Sequence, residues 1–176
     1  KSGQMVVTLN GHTDELRGAI FSVDGKMVLS SSVDGTARLW DAASGQELRR
    51  FEGHTALVYR AVFSPDGSTV VTTSWDGTAR VWDANTGELS RTYLGHTGEA
   101  LCVAISPDGQ RIAAGANNGL VRVWDVASGR ETLVYKGHAV SCAVLSIGFN
   151  PDGKRIASTG YDKTVRLWDS TTGQEA

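Results

Sequence analysis

The stretch Asp76-Gly77-Thr78-Ala79-Arg80-Val81-Trp82-Asp83 decides the fold, because it closes a unit that occurs four times. The units open on Gly11-His12, Gly53-His54, Gly95-His96 and Gly137-His138, and end on Trp40-Asp41, Trp82-Asp83, Trp124-Asp125 and Trp168-Asp169. The period is 42 residues, and the last unit carries two extra residues between His138 and Gly153. Gly11–Glu52 and Gly53–Leu94 are identical at 20 of 42 aligned positions, which points to duplication of one ancestral unit. A fixed period of this length signals supersecondary units that bury their faces against one another.

Within a unit the punctuation predicts four short strands. Ala61–Phe63 and Val70–Thr73 flank Ser64-Pro65-Asp66-Gly67, where proline presets one turn dihedral and glycine accepts the positive one. Asp76-Gly77 turns the chain into the alternating run Thr78–Trp82, and Asn85-Thr86-Gly87 leads to Leu89–Tyr93. Helical periodicity is weak throughout, so the reading is all-β. Most of the 21 glycines among 176 residues mark the repeated Gly-His pairs and these turns, with no collagen-like triplet period.

Composition excludes several classes of function. With 17 Lys+Arg against 19 Asp+Glu, the chain lacks the net basicity of a nucleic-acid binder. No apolar run approaches a membrane span, and Lys1–His12 is unlike a secretory signal, so a soluble, cytoplasmic protein is expected. Cys102 and Cys142 offer neither a disulfide framework nor zinc-ligand spacing and read as small buried hydrophobes. The start at Lys1 suggests an excised or engineered piece.

On Gly-His, Pro-Asp-Gly, Asp-Gly-Thr and Trp-Asp in fixed order, the full chain resembles the WD-repeat β-propeller family. The resemblance implies four four-stranded antiparallel blades over residues 1–176, with repeats at about 11–52, 53–94, 95–136 and 137–176. It also implies that a strand at about Gln4–Leu9 completes a final blade and closes the ring, since the chain stops near where the last outer strand begins. Four blades in one ring would stand about 90° apart and eight about 45°, and face-to-face sheets prefer modest angles. The expectation is therefore a homodimer forming one eight-bladed ring, the alternative being a monomeric four-bladed ring that closes on itself.

The resemblance further implies a hydrogen-bonded tetrad in each blade. Its members are His12, Ser30, Asp34 and Trp40; His54, Thr72, Asp76 and Trp82; and His138, Ser158, Asp162 and Trp168. The third set is degenerate, with His96, Ala114, Asn118 and Trp124. A catalytic-triad reading of His, Ser and Asp fails on repetition, since a nucleophile is needed once and beside an oxyanion hole. Nor does one histidine per repeat, without a second ligand nearby, make a metal centre. No enzyme activity, cofactor or metal is expected.

By the same resemblance, one rim of the ring binds partners. The positions that face it are Glu15, Arg17 and Val33; Leu57, Tyr59 and Trp75; Glu99, Leu101 and Asn117; and Ala143, Leu145 and Tyr161. Aromatic and arginine side chains dominate binding energies, so Trp75, Tyr59 and Tyr161 make an interaction scaffold for a peptide or protein the leading expectation. The competing one is a structural module that self-assembles without a ligand of its own.

Overall fold

A computed structural model describes residues 5–175 of the chain. The first sheet is β1 (Leu16–Phe21), β2 (Met27–Ser32), β3 (Ala37–Asp41) and β4 (Glu47–Phe51); the second is β5 (Val58–Phe63), β6 (Thr69–Ser74), β7 (Ala79–Asp83) and β8 (Leu89–Tyr93). The third is β9 (Ala100–Ile105), β10 (Arg111–Ala116), β11 (Val121–Asp125) and β12 (Glu131–Tyr135), and the fourth is β13 (Val144–Phe149), β14 (Arg155–Gly160) and β15 (Val165–Asp169). Every pairing is antiparallel between neighbours in sequence. No helix is present among the described residues.

Local chemistry sets the turns. In Ser64-Pro65-Asp66-Gly67 the Ser64 hydroxyl donates to Asp66 at 2.5 Å, the Ser68 amide donates to Asp66 at 3.0 Å, and Gly67 takes φ 72°. That positive φ suits glycine because it has no Cβ to clash. The ladder then fixes register: Val70 faces Trp82, and Ala79 faces Tyr93.

Packing between sheets supplies the core. Leu29, Leu39 and Phe51 of the first sheet meet Val58, Val70 and Trp82 of the second. The aromatic residue ending each outer strand lies against the next sheet's tryptophan, with ring centroids 5.9 Å apart for Phe51–Trp82, 5.6 Å for Tyr93–Trp124 and 4.9 Å for Tyr135–Trp168. Arginines clamp the same junctions from the outside: Arg91 donates to the Ser128 carbonyl at 3.1 Å, and Arg111 donates to the Gly153 carbonyl at 2.8 Å while lying 5.4 Å over Phe149.

The stack is open. First packs on second, second on third and third on fourth, with no comparable contact between fourth and first among the described residues. Leu16 is 59% exposed, whereas Val58, Ala100 and Val144, its equivalents, are fully buried. Val165 is 70% exposed, whereas Ala37, Ala79 and Val121 are fully buried. The same apolar pattern thus ends in two uncovered faces.

One expectation needs correction. The fourth sheet has three strands, not four, because its outer strand begins only at Glu175, which bridges Trp168 as Glu47 pairs with Trp40. The strand expected to complete it, Gln4–Leu9, is not part of any sheet over residues 5–9, and Gln4 lies outside the described residues. Residues Val7, Thr8 and Leu9 instead lie beside Gly45 of the first sheet. In the second sheet the equivalent Gly87 faces Arg49 and Arg50 of β4, and in the fourth Gly173 faces Leu133 and Tyr135 of β12. The N-terminal segment therefore sits against the first sheet where the outer strand of a preceding blade would sit.

Candidate functional site

The β2 hydroxyl, the aspartate of the β2–β3 turn and the β3 tryptophan are brought to the Gly-His histidine by the ladder itself. His12 Nδ1 donates to Asp34 at 2.8 Å, and the Ser30 hydroxyl bonds Nε2 at 2.7 Å while accepting the Trp40 indole N–H at 2.8 Å. An ionised carboxylate only accepts, so it fixes the proton on Nδ1 and leaves the Nε2 lone pair for the hydroxyl. The second blade repeats this with His54, Asp76, Thr72 and Trp82 at 2.8, 2.7 and 2.8 Å, and the fourth with His138, Asp162, Ser158 and Trp168 at 2.9, 2.8 and 2.9 Å.

A fifth member was not anticipated from sequence. Thr36 and Thr78 donate to Asp34 and Asp76 at 2.7 Å, and Thr164 donates to Asp162 at 2.8 Å. The Asp-Gly-Thr triplet was legible as a turn, and the threonine after the glycine was its signal. Burial opposes the charge on Asp34, yet bonds from Thr36, His12 and the Thr13 amide outweigh it and hold the carboxyl far below its ordinary range. For Asp76 burial is again opposed and overcome, by His54 and Thr78. The Ser30, Thr72 and Ser158 hydroxyls are buried and bonded to both imidazole and indole, so none is free to attack a substrate.

The third blade lacks this network. Ala114 replaces the hydroxyl, Asn118 the carboxylate and Leu120 the threonine. Asn118 turns to Thr97 Oγ1 at 3.1 Å, and both ring nitrogens of His96 are buried without a partner. Burial, aided by the nearby Arg122 charge, pushes the His96 pKa down to about 4. Trp124 keeps its place, packed edge-on against His96 with centroids 5.6 Å apart.

The rim residues are gathered by a second repeated contact. The amides of Val33, Trp75, Asn117 and Tyr161 donate to the carbonyls of Glu15, Leu57, Glu99 and Ala143 at 2.8, 3.1, 3.0 and 3.0 Å. Four different side-chain pairs therefore occupy one backbone position. Arg17, Tyr59, Leu101 and Leu145 fall at β-bulges, where the innermost strand skips a partner, as between Val58↔Ser74 and Arg60↔Thr73. A bulge re-aims a side chain, and the bulges were not read from sequence because they are properties of strand pairing.

Exposure divides the set. Tyr161 is 69% and Trp75 41% exposed. Glu15 and Arg17 are also exposed and lie 3.4 Å apart, while Leu57, Tyr59, Glu99 and Leu145 are half-buried. Leu101 is a correction: it is buried, so it presents no surface to a partner.

Other chemistry is sparse. Cys102 is buried, with burial pushing its thiol up to about 12, and Cys142 is half-buried; both are free. Among the described residues no group of three His, Cys, Asp or Glu side chains is placed to hold a metal ion, and no helix is long and apolar enough to cross a membrane.

Residues 3–41, 45–83, 87–125 and 129–169 each match the family model described as WD domain, G-beta repeat. The chain belongs to the WD-repeat family. The last three matches each run from an outer strand, β4, β8 or β12, through the Trp-Asp pair, and so straddle two sheets of the fold. The chain is also 48% identical over 46 residues to an uncharacterized WD repeat-containing protein of Synechocystis; the match covers 26% of this chain and 13% of that protein. This chain thus matches a small part of that longer relative.

Proposed function

We propose that this chain is a non-enzymatic scaffold that presents its rim to a peptide or protein partner. WD repeats generally mediate protein–protein interaction. The observation that carries the reading here is the rim itself: Val33, Trp75, Asn117 and Tyr161 occupy one hydrogen-bonded backbone position in four blades yet are an aliphatic residue, an amide and two different aromatics. A purely structural array has no need for such divergence at otherwise repeated positions, and no need for exposed aromatics there. A cytoplasmic setting suits the two free thiols.

The working form of the scaffold is a homodimer in which two open stacks make one eight-bladed ring. The two uncovered faces, one holding Leu16 and Phe21 and the other Val165 and Leu167, support this. So does Met5–Leu9, which lies where an outer strand lies but has no inner strands of its own. In the ring each such segment completes the partner's final blade beside β15.

The scaffold reading is tested by affinity capture with the intact protein against a Trp75→Ala, Tyr161→Ala double variant. Capture that depends on both aromatics, with the β-sheet circular dichroism unchanged, is the expected result. Equal capture by the two proteins would leave a self-assembling structural module.

A further inference from the structure

The five tryptophans fall into two kinds. Trp40, Trp82, Trp124 and Trp168 are buried, and Trp75 alone is exposed, in the turn between β6 and β7. It lines a cleft of about 430 Å³ between the second and third blades, shared with His96, Glu99 and Asn117. Glu99 accepts a hydrogen bond from the Asn117 amide at 3.3 Å. It has no cationic partner among the described residues, unlike Glu15 beside Arg17 or Glu47 beside Arg38. Gly98 makes the cleft wall possible, because a Cβ there would collide with the Asn117 side chain.

The other junctions serve as internal controls. The positions of Trp75 and Glu99 are held by Val33 and Leu57 between the first and second blades, and by Asn117 and Ala143 between the third and fourth. Among these junctions only the middle one places an aromatic side chain and an unpaired carboxylate in one cleft. The remaining charges nearby are committed: Asp76 to His54 at 2.8 Å and Arg80 at 3.6 Å, and Arg122 to Glu131. His96, burial-shifted toward its neutral form, adds no opposing positive charge near pH 7.

We propose that this cleft is a subsite for an arginine side chain of a peptide partner, its guanidinium stacked on Trp75 and donating to the Glu99 carboxylate and Asn117 Oδ1. The planar fork matches a carboxylate with an adjacent carbonyl and stacks on an indole, whereas a lysine ammonium supplies only a point charge. The proposal rests on the rim being the partner-binding face, and it names the chemistry that one junction recognises.

The test uses the full chain labelled with ¹⁵N and the blocked tripeptides acetyl-Gly-Arg-Gly-amide, acetyl-Gly-Lys-Gly-amide and acetyl-Gly-Glu-Gly-amide. Trp75→Phe assigns the Trp75 indole N–H signal, and the four buried indoles report that each variant remains folded. The arginine peptide is expected to shift the Trp75 signal saturably, with the lysine peptide at least about threefold weaker and the glutamate peptide without effect. Glu99→Gln should weaken the arginine peptide about tenfold while leaving the buried indole signals in place. An unmoved Trp75 indole, an equal response to all three peptides, or unchanged affinity in Glu99→Gln overturns the proposal. If the Trp75 signal stays while Tyr59 or Tyr161 amides move, the cleft is wrong and the rim survives. If no rim signal responds to any peptide, the cleft proposal fails and the rim reading is weakened with it.

Discussion

The inner junctions and the two end faces are built from the same repeated positions and meet different fates. Val58 is fully buried between the first and second sheets, while Leu16, its counterpart one repeat earlier, stands 59% exposed with no sheet before it. Val121 and Val165 differ in the same way at the other end. The sequence specifies the apolar surface of a blade once per repeat, and only the presence of a neighbour turns that surface into core. The difference teaches that burial in this fold is supplied by the neighbouring sheet, because each end face keeps the apolar side chains of an inner junction without the sheet that covers them there.

The largest expected effect breaks the comparison at its interior side. Val58→Asp buries an unpaired carboxylate and should cost about 4 kcal/mol or more, enough to unfold a small domain. Leu16→Asp, at the matching end position, should leave the chain folded and prevent it from pairing. Urea denaturation with sedimentation velocity checks both. If both variants unfold, the end face belongs to the chain's own core. Next in size, Phe51→Ala should cost about 3–5 kcal/mol by opening the first junction at Trp82. Leu9→Ala, one repeat earlier, should cost far less in the monomer and act on assembly.

The third blade sharpens the comparison by asking whether packing or the polar network holds the interior. It keeps register with neither hydroxyl, carboxylate nor threonine, with Ile112 opposite Trp124 in the ladder and Val121, Val123 and Tyr135 buried, so packing suffices to form a blade. The network should add local stability. The lowered pKa of His96 favours its neutral form in the folded state. Its contribution is therefore present above the unfolded value near 6.5 and is lost as pH falls toward about 4. Stability should fall by about 2–3 kcal/mol over that window, and His96→Leu should remove this part of the pH dependence in urea midpoints. Asp76 has a depressed pKa, so its contribution is present above about 3.8 and lost only in stronger acid. Ala114→Ser, which offers His96 a partner, should stabilise by about 1 kcal/mol and slow amide exchange in the third blade toward that of the second. The smallest effect on stability is expected of Trp75→Ala, within about 0.5 kcal/mol because the side chain is at the surface, with its loss read in partner capture.

Much of this was legible in the sequence because the repeat acts as its own alignment. The turns at Pro-Asp-Gly and Asp-Gly located the strands, and the resemblance to the WD-repeat family, carried along the repeat, brought His54, Thr72, Asp76 and Trp82 together. What was missed depends on partners across space. The bulges at Arg17 and Tyr59 come from strand pairing, and the burial of Leu101 comes from packing that its half-buried counterpart Tyr59 does not meet. The role of Thr78 had a signal in the third blade, where Leu120 accompanies the loss of Asp at Asn118 and of the hydroxyl at Ala114. That Met5–Leu9 pairs with no sheet follows from which strands meet within one chain, which a linear motif does not encode.

The mass of these 176 residues in solution, by sedimentation equilibrium or light scattering, tests most directly whether the end faces cover each other. A species of twice 18.7 kDa that reverts to one chain in Leu16→Asp or Val165→Lys is the predicted result. A folded species of 18.7 kDa across the working concentration range would contradict it and assign the cover of those faces to something other than a second copy.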